Sequence, residues 1–252
     1  MTAPPTMPPG YSVAVFGEID STMDEARRRA EQGNQQPLWI VAERQTKGRG
    51  RRSRAWESGD GNLLCTLSLH LHHSLAEAAK LSFLAALCVA ETLDHYVGDA
   101  QRIRLKWPND VLLDDHKAAG ILLESAKHDT ATTWLSIGIG VNLAQHPQAA
   151  LWPATSLRAA GVDAPHPHAA LEVLARRFAV WLARWQTDGF APIKAAWLAR
   201  AARIGAEIEV RLDKDTLAGI FTTLDETGAL VLTGPDGSVR LISAGDVFFP
   251  DK

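Results

Sequence analysis

Hydrophobic and polar residues alternate along two segments of the chain in a way that predicts β-strands. Leu63 to Leu71 places an apolar side chain at every second position, which predicts a strand with one buried face. Trp134 to Leu143 alternates in the same way, and the positions between its apolar residues are nearly all small: Ser136, Gly138, Gly140 and Asn142. A strand with so little side chain on one face leaves room for a ligand to lie against its backbone.

Shorter patterns predict the other elements of the first 200 residues. The remaining strand segments are rich in aliphatic and β-branched residues: Ser12–Phe16, Leu38–Ala42, Ile103–Lys106, Val111–Leu113 and Ala118–Glu124. Apolar residues spaced three and four apart predict helices: Thr22 to about Gln32, Leu75–Tyr96, a stripe from Leu171 to Trp185, and Ala191–Ala202. Ser21 supplies an N-cap for the first helix, and the aromatic residues of the later stripe are expected in the core.

The pattern changes near Gly205. From Ile208 onward, five short apolar segments are separated by turn sequences such as Glu226-Thr227-Gly228 and Pro235-Asp236-Gly237, which predicts a small all-β barrel. We therefore predict an α+β chain in three parts: a disordered leader at 1–10, an α/β catalytic domain at 11–203 and the barrel at 204–252.

Composition restricts the class of protein further. The 252 residues are 46% hydrophobic and carry a net charge of −3, as in a soluble globular protein that needs no structural metal or disulfide. Cys65 and Cys88 both lie in apolar patterns, which favours a reducing, cytoplasmic location. The first ten residues contain four prolines but no feature of a signal peptide, and no apolar run is long enough to span a membrane.

One loop has an unusual composition. The segment Lys47–Trp56 has five cationic residues within its first eight positions, together with Gly48 and Gly50. Such a loop is expected to repel itself and to stay mobile until an anion binds. Composition alone favours an RNA-binding or merely solvated loop. The flat ring of Trp56 beside the cations weakens that interpretation, because it suits a nucleotide base.

Two further segments carry candidate polar chemistry. Lys106-Trp107-Pro108-Asn109-Asp110 presents a lysine and a carboxylate around a turn, which fits either a structural turn or a site for a metal ion. Lys117 begins the Ala118–Glu124 strand and is either solvated or directed at a carboxylate or phosphate. His70, His72 and His73 lack partners at metal-ligand spacing and are expected on the surface.

Taken together, these segments resemble the biotin protein ligases. The matching blocks occur in the family's order: Ile19–Thr22, Gln45 with Lys47–Trp56, Lys106–Val111, Lys117–Glu124 and Ile137–Leu143. The resemblance implies a class II synthetase-like catalytic domain, with helices on a mixed sheet, and an SH3-like C-terminal barrel. It also implies that biotin and ATP, with Mg²⁺, give biotinyl-5′-AMP, and that biotin is then transferred to a lysine of a biotin carboxyl carrier domain.

The resemblance also implies roles for individual residues. Lys117, Arg49 and Arg51 would be catalytic. Biotin would be bound by a set drawn from four of these blocks: Ser21, Thr22, Gln45, Gly48, Arg49, Gly50, Arg51, Lys117, Gly120 and Gly140. ATP and the adenylate would contact Arg49, Arg51, Arg54, Trp56, Lys117 and Asn142, with Trp56 packed by the adenine, and Asn109 and Asp110 would associate with Mg²⁺.

The sequence departs from the family pattern at two positions. Met23 stands where an asparagine is common, so one polar contact to biotin is left open, and Ser53 stands where a glycine is frequent. Ser21 comes too early in the chain for the helix-turn-helix domain of some members, so no specific DNA partner is expected; no membrane partner is expected either, and a homodimer is possible. A lipoate-protein ligase and a nucleic-acid-binding module are the alternative interpretations.

Overall fold

The structure, a computed structural model, describes residues 3–57, 59–127, 132–148 and 152–249, with Ser53 described by its backbone alone. A seven-stranded sheet contains the first strands in the spatial order β1-β2-β3-β7-β6-β5-β4. Their bounds are β1 Ser12–Ile19, β2 Leu38–Gln45, β3 Leu63–Leu71, β4 Ile103–Lys106, β5 Asp110–Leu113, β6 His116–Lys127 and β7 Thr133–Val141. Only β1 and β2 pair in parallel among these strands, so the sheet is mixed, as predicted.

A second, antiparallel sheet follows in the chain. Its five strands have the spatial order β11-β10-β9-β8-β12 and are β8 Glu207–Arg211, β9 Thr216–Leu224, β10 Leu230–Thr233, β11 Val239–Ile242 and β12 Asp246–Phe248. The helices are α1 Thr22–Glu31, α2 Leu75–Ala79, α3 Leu81–Val97, α4 Pro167–Asp188 and α5 Ala191–Ala199. The α+β class and the five C-terminal strands are therefore confirmed.

The two faces of the large sheet are covered differently. The main core contains Leu135, Ile137 and Ile139 of β7 with the apolar faces of α3, α4 and α5. On the opposite face α1 packs its buried Ala26 near Ile40 and Trp134. Helix α1 also covers β3, and as a result Thr66 and Ser68 on that face of β3 are almost fully buried. The prediction that β3 is only half-buried was therefore wrong.

The core continues from one sheet to the other. Ile208, Val210 and Phe221 of the second sheet belong to the same buried cluster as Phe83 of α3 and Trp197 of α5. The indole nitrogen of Trp107 donates a hydrogen bond of 3.1 Å to the carbonyl oxygen of Gly228. The two sheets on either side of residues 203 and 204 therefore share apolar contacts. That this position is a domain boundary remains a prediction.

Two local predictions differ from the structure. The segment Leu75–Tyr96 is two helices, α2 and α3, because the chain turns at Lys80, whose backbone N–H donates to the Glu77 carbonyl oxygen at 3.2 Å. Ala3 and Thr6 of the predicted disordered leader contact α4: the Thr6 amide donates to Glu172 Oε1 at 2.7 Å, and His168 Nδ1 lies 3.2 Å from the Ala3 carbonyl oxygen. No helix among the described residues is long and apolar enough to cross a membrane.

Candidate active site

A cavity of about 320 Å³ lies on the glycine-bearing face of β6 and β7. The N-terminus of α1 forms one wall, the Lys47–Trp56 loop covers the cavity, and β12 of the second sheet closes its far side. Half of the residues that line it were predicted from the sequence: Ser21, Thr22, Gln45, Arg49, Gly50, Arg51, Arg54, Trp56, Asn109, Asp110, Lys117, Gly120, Gly140 and Asn142. Gly48 does not line the cavity. It faces the other arm of the same loop, where a Cβ would meet the Trp56 carbonyl oxygen at 2.9 Å.

One end of the cavity is polar and uncharged. Thr66 Oγ1 donates to Thr22 Oγ1 at 2.8 Å, and Thr22 donates to Gln45 Oε1 from both its hydroxyl, at 2.9 Å, and its backbone nitrogen, at 2.7 Å. Because a backbone N–H can only donate, the Gln45 oxygen must face Thr22 and the amide NH₂ must point away. We call Ser21, Thr22, Gln45 and Thr66 the neutral end.

Two hydrogen-bond donors at the neutral end have no acceptor among the described residues. Ser21 Oγ caps α1 by accepting from the amides of Met23 and Asp24, at 3.2 and 3.5 Å, and it also accepts from Arg49 Nη1 at 3.4 Å. No described residue accepts the hydrogen of the Ser21 hydroxyl. The Gln45 NH₂ group also has no acceptor among the described residues. These two donors suit a ligand carbonyl oxygen next to a helix N-terminus.

The other end of the cavity contains two lysines around one carboxylate. Lys117 Nζ lies 2.5 Å from Asp110 Oδ1, and Lys106 Nζ lies 3.5 Å from Asp110 Oδ2. Burial alone would raise the pKa of the Asp110 carboxyl, but the two lysines lower it below its usual value. Burial lowers the pKa of Lys106, against the opposing effect of Asp110. We call Lys106, Asp110 and Lys117 the charged end.

Backbone contacts fix the charged end in place. The Lys117 amide donates to the Pro153 carbonyl oxygen at 2.7 Å, and the Thr155 amide donates to the Lys117 carbonyl oxygen at 3.0 Å. Asn142 Nδ2 donates to the carbonyl oxygens of Thr155, at 3.0 Å, and Lys117, at 3.4 Å. The Asn142 amide thus orients the backbone of the lysine in this structure.

The basic loop forms a short hairpin. Arg49 bridges to Ala55, the Trp56 amide donates to the Gly48 carbonyl oxygen at 3.0 Å, and Arg52 at its turn has a left-handed φ of 53°. Arg49 lies between Asp24, at 2.8 Å, and Glu124, at 3.0 Å. The hydrogen bond to Asp24 is the main reason that the pKa of Arg49 is raised.

The second sheet supplies the partner of the other arginines. Asp246 of β12 lies 3.5 Å from Arg51, 3.3 Å from Arg52 and 3.1 Å from Arg54. Arg52 also pairs with Asp213 at 2.8 Å. We expected a self-repelling loop without partners, whereas carboxylates of the same chain pair with these four arginines.

Trp56 lies directly on the glycine backbone. A Cβ on Gly140 would come within 2.3–2.7 Å of three indole atoms, and one on Gly120 would lie 2.9 Å from the ring. The small-residue face of β7 is therefore filled by this side chain at Gly140. The Trp56 indole nitrogen is buried and has no hydrogen-bond partner among the described residues.

The expected magnesium contacts fit this arrangement poorly. Both oxygens of Asp110 face lysines, and Asn109 directs its amide nitrogen to the Ile121 carbonyl oxygen and its amide oxygen toward Arg51, at 3.4 Å. Within the described residues, no group of three or more His, Cys, Asp or Glu side chains could hold a metal ion. These residues do not form a ligand set for a resident metal.

Several residues that contribute to the site were given no role in it from the sequence. Lys106, Trp152, Phe248 and Asp246 line the cavity, and Lys106 Nζ lies 4.2 Å from the centre of the Trp152 ring. Lys106 could have been found from the sequence, because it lies in the same five-residue segment as the predicted site residues Asn109 and Asp110. Asp246 could not have been found in this way, because in the sequence it is an ordinary turn residue far from the loop.

One cavity thus combines an uncharged polar end with a charged end, and comparison with known proteins shows the family to which the fold belongs. Residues 15–142 match the biotin/lipoate A/B protein ligase family, and residues 204–249 match the biotin protein ligase C-terminal domain. The chain belongs to the biotin/lipoate A/B protein ligase family.

Individual relatives identify the branch of that family that the chain resembles. It is 44% identical to the biotin–[acetyl-CoA-carboxylase] ligase of Paracoccus denitrificans over 93% of this chain and 99% of that protein. It is 31% identical to the bifunctional ligase/repressor BirA of Bacillus subtilis, over 93% of this chain and 73% of BirA. The biotin protein ligase of Aquifex aeolicus in complex with biotin and ATP is structurally similar, with a TM-score of 0.76 and 26% identity over 94% of this chain and 97% of that chain.

Proposed function

We propose that this protein is an ATP-dependent biotin protein ligase, which converts biotin to biotinyl-5′-AMP and transfers biotin to a lysine of a biotin carboxyl carrier domain. The observation that carries the proposal is the presence of a neutral, donor-rich end and a charged end in one cavity. Biotinyl-5′-AMP has the same division, with an uncharged ureido ring at one end and a phosphate at the other. Relatives with this enzyme name support the choice.

The neutral end suits the ureido ring. The Ser21 hydroxyl and the Gln45 NH₂ group can donate to the ureido oxygen, and the second lone pair of Thr22 Oγ1 can accept from a ring N–H. Gly48 allows the two arms of the loop to approach each other, and Gly120 and Gly140 allow the Trp56 ring to lie on the floor of the cavity. Gly50 lines the cavity from the loop. Binding of the ring therefore depends on hydrogen bonds rather than on charge.

The first step is a displacement at phosphorus. A carboxylate oxygen of biotin attacks the α-phosphorus of ATP, a new O–P bond forms, and the bond to the β-phosphate oxygen breaks to release pyrophosphate. Two anions must come together, so Lys117, Arg49 and Arg51 act by compensating negative charge and by orienting the groups. Arg54, Trp56 and Asn142 are the further adenylate contacts, and Mg²⁺ enters with ATP as part of the substrate.

The second step is acyl transfer. The neutral amine of the carrier lysine attacks the carbonyl carbon of the mixed anhydride, an amide bond forms, AMP leaves, and the amine proton passes to solvent. An anhydride exposed to water would hydrolyse, so the loop must cover it until the carrier docks. The hairpin geometry of Gly48–Trp56 provides such a cover.

The partners are therefore biotin, ATP and a carrier domain. We further propose a cytoplasmic location, because both cysteines are buried and unpaired. Absence of specific DNA binding, absence of membrane association and the possibility of a homodimer remain predictions.

Pyrophosphate release tests the proposal. The purified chain is incubated with ATP and Mg²⁺ plus either biotin or lipoate, and an acceptor carrier domain is then added and weighed by mass spectrometry. We expect release with biotin, followed by a carrier heavier by one biotinyl group. Release with lipoate alone would make the protein a lipoate ligase, and salt-sensitive RNA binding without release would support a nucleic-acid-binding module.

A further inference from the structure

A methionine side chain fills a hollow in the sheet beside the neutral end. Met23 is the second residue of α1 and is only 4% exposed. A Cβ built on Gly138 of β7 would lie 2.6 Å from Met23 Sδ and 2.9 Å from its Cγ. The thioether therefore rests directly on the β7 backbone and fits because position 138 has no side chain.

The backbone of Met23 is fixed by the same residues that form the neutral end. Its amide donates to Ser21 Oγ at 3.2 Å, and the preceding residue, Thr22, is bonded to Gln45. Both Met23 and Gly138 line the cavity. The neutral end thus has an apolar wall whose position is set by the helix cap, whereas an asparagine there would present a polar group.

The lining is also continuous with the rest of the floor. Gly138 and Gly140 lie on the same face of β7; Met23 covers the first and Trp56 covers the second. Leu122 of β6 pairs with Gly138 and lines the same part of the cavity. A ligand ring held by Ser21 and Gln45 therefore meets an apolar surface whose depth depends on the length of residue 23.

We propose that Met23, seated on Gly138, determines the ring specificity of the acid-binding end by limiting pocket depth and excluding bicyclic rings bulkier than that of biotin. The inference rests on the proposed function, because the occupant of the neutral end is identified as biotin there. In apolar pockets, a difference of one small group changes substrate preference by about 10- to 200-fold. Met23 exerts this effect by shape and contributes no hydrogen bond to the ring.

The test measures kcat/KM for pyrophosphate release with biotin and with biotin sulfone, which carries two extra oxygens on the ring sulfur. Met23→Ala is expected to raise the sulfone-to-biotin ratio about tenfold, because the pocket deepens. Met23→Leu, which still fills the hollow, is expected to keep the wild-type ratio. Met7→Ala is the matched control, since Met7 is a partly buried methionine outside the cavity lining.

The partner glycine gives an independent arm. Gly138→Ala is expected to lower kcat/KM for both acids, because its Cβ would collide with Met23 Sδ, and Met23→Ala in the same chain is expected to restore use of biotin. An unchanged ratio in Met23→Ala relative to Met7→Ala, or a Gly138→Ala defect that the second substitution does not relieve, overturns the inference. If Met23→Ala does not fold, the ratio in Met23→Leu and the defect of Gly138→Ala test the inference instead. Failure of the proposed function itself would be recognised separately, because the wild-type protein would then release no pyrophosphate with biotin.

Discussion

The neutral end and the charged end of the cavity achieve recognition in different ways. At the neutral end the hydrogen-bond directions are fixed by one backbone amide, that of Thr22, and two donors remain free for a ligand. At the charged end, Asp110 already pairs with both lysines. The arginines of the loop that covers the cavity also have internal partners, namely Asp24, Glu124 and Asp246. The neutral end is ready for a ligand, whereas the charged end must exchange internal partners for substrate anions.

This difference has a physical reason. Buried cations without partners are costly, so a site for phosphate can exist without ligand only if carboxylates stabilise it. A hydroxyl or amide donor facing a water-accessible cavity carries no such cost. We therefore expect substitutions at the charged end to affect catalysis, and substitutions at the neutral end to affect binding of the acid.

Loss of Lys117 should have the largest effect. Lys117→Ala removes the charged group that compensates the phosphate, and we expect adenylate formation to fall by about 100- to 1,000-fold in single-turnover assays. Lys214→Ala, at an exposed turn, is the matched control; a normal single-turnover rate for Lys117→Ala would place the phosphate elsewhere.

Loss of the Gln45 donor should affect biotin binding. Gln45→Glu keeps an oxygen for Thr22 but loses the NH₂ group, so the KM for biotin should rise about 10- to 100-fold while the KM for ATP stays close to wild type. Gln101→Glu, on the surface, makes the same chemical change away from the cavity. Equal changes in both KM values would mean that the two ends do not act separately.

Loss of Arg51 should weaken retention of the adenylate. Arg51→Ala removes a half-buried cation that contacts Asn109 and Gly245, and we expect the intermediate to dissociate about tenfold faster in a stopped-flow chase. Arg184→Ala, on the surface of α4, serves as the control. Unchanged dissociation would assign the arginine to the structure of the loop alone.

Loss of an exposed ion pair should have the smallest effect. The hydrogen bond from Arg28 lowers the pKa of Asp20 from 3.8 to about 2. A lowered carboxyl pKa stabilises the folded state above pH 3.8, and this contribution is lost as the pH falls through about 2. Asp20→Asn should therefore cost less than about 1 kcal/mol at pH 6 in urea unfolding. A difference from wild type that grows as the pH is lowered from 5 to 3 would contradict this account.

The sequence predicted those parts of the fold that local patterns determine. Alternation along Trp134–Leu143 located the glycine face of β7, and the turn sequences after Gly205 predicted five strands. The burial of both faces of β3 was not predictable, because it depends on where α1 packs. The contacts of Ala3 and Thr6 with α4 were likewise not predictable, since prolines restrict the backbone without showing what it will contact.

In the site, too, residues within local motifs were predictable, whereas contacts between distant segments were not. Residues in compact motifs, such as Lys117 and Gln45, were found together in one cavity. The partners of the loop arginines were not foreseen, because Asp24 is 25 residues from Arg49 and Asp246 is 192 residues from Arg54. Ion pairs formed by chain segments this far apart have no local pattern in the sequence.

The separation of the two ends is tested most directly by a crystal structure with a non-hydrolysable analogue of biotinyl-5′-AMP. We predict the ureido oxygen within hydrogen-bond distance of Gln45 Nε2 and Ser21 Oγ, and the phosphate within that distance of Lys117 Nζ. A ureido ring at Lys117, or a phosphate at Ser21 and Gln45, would contradict the account.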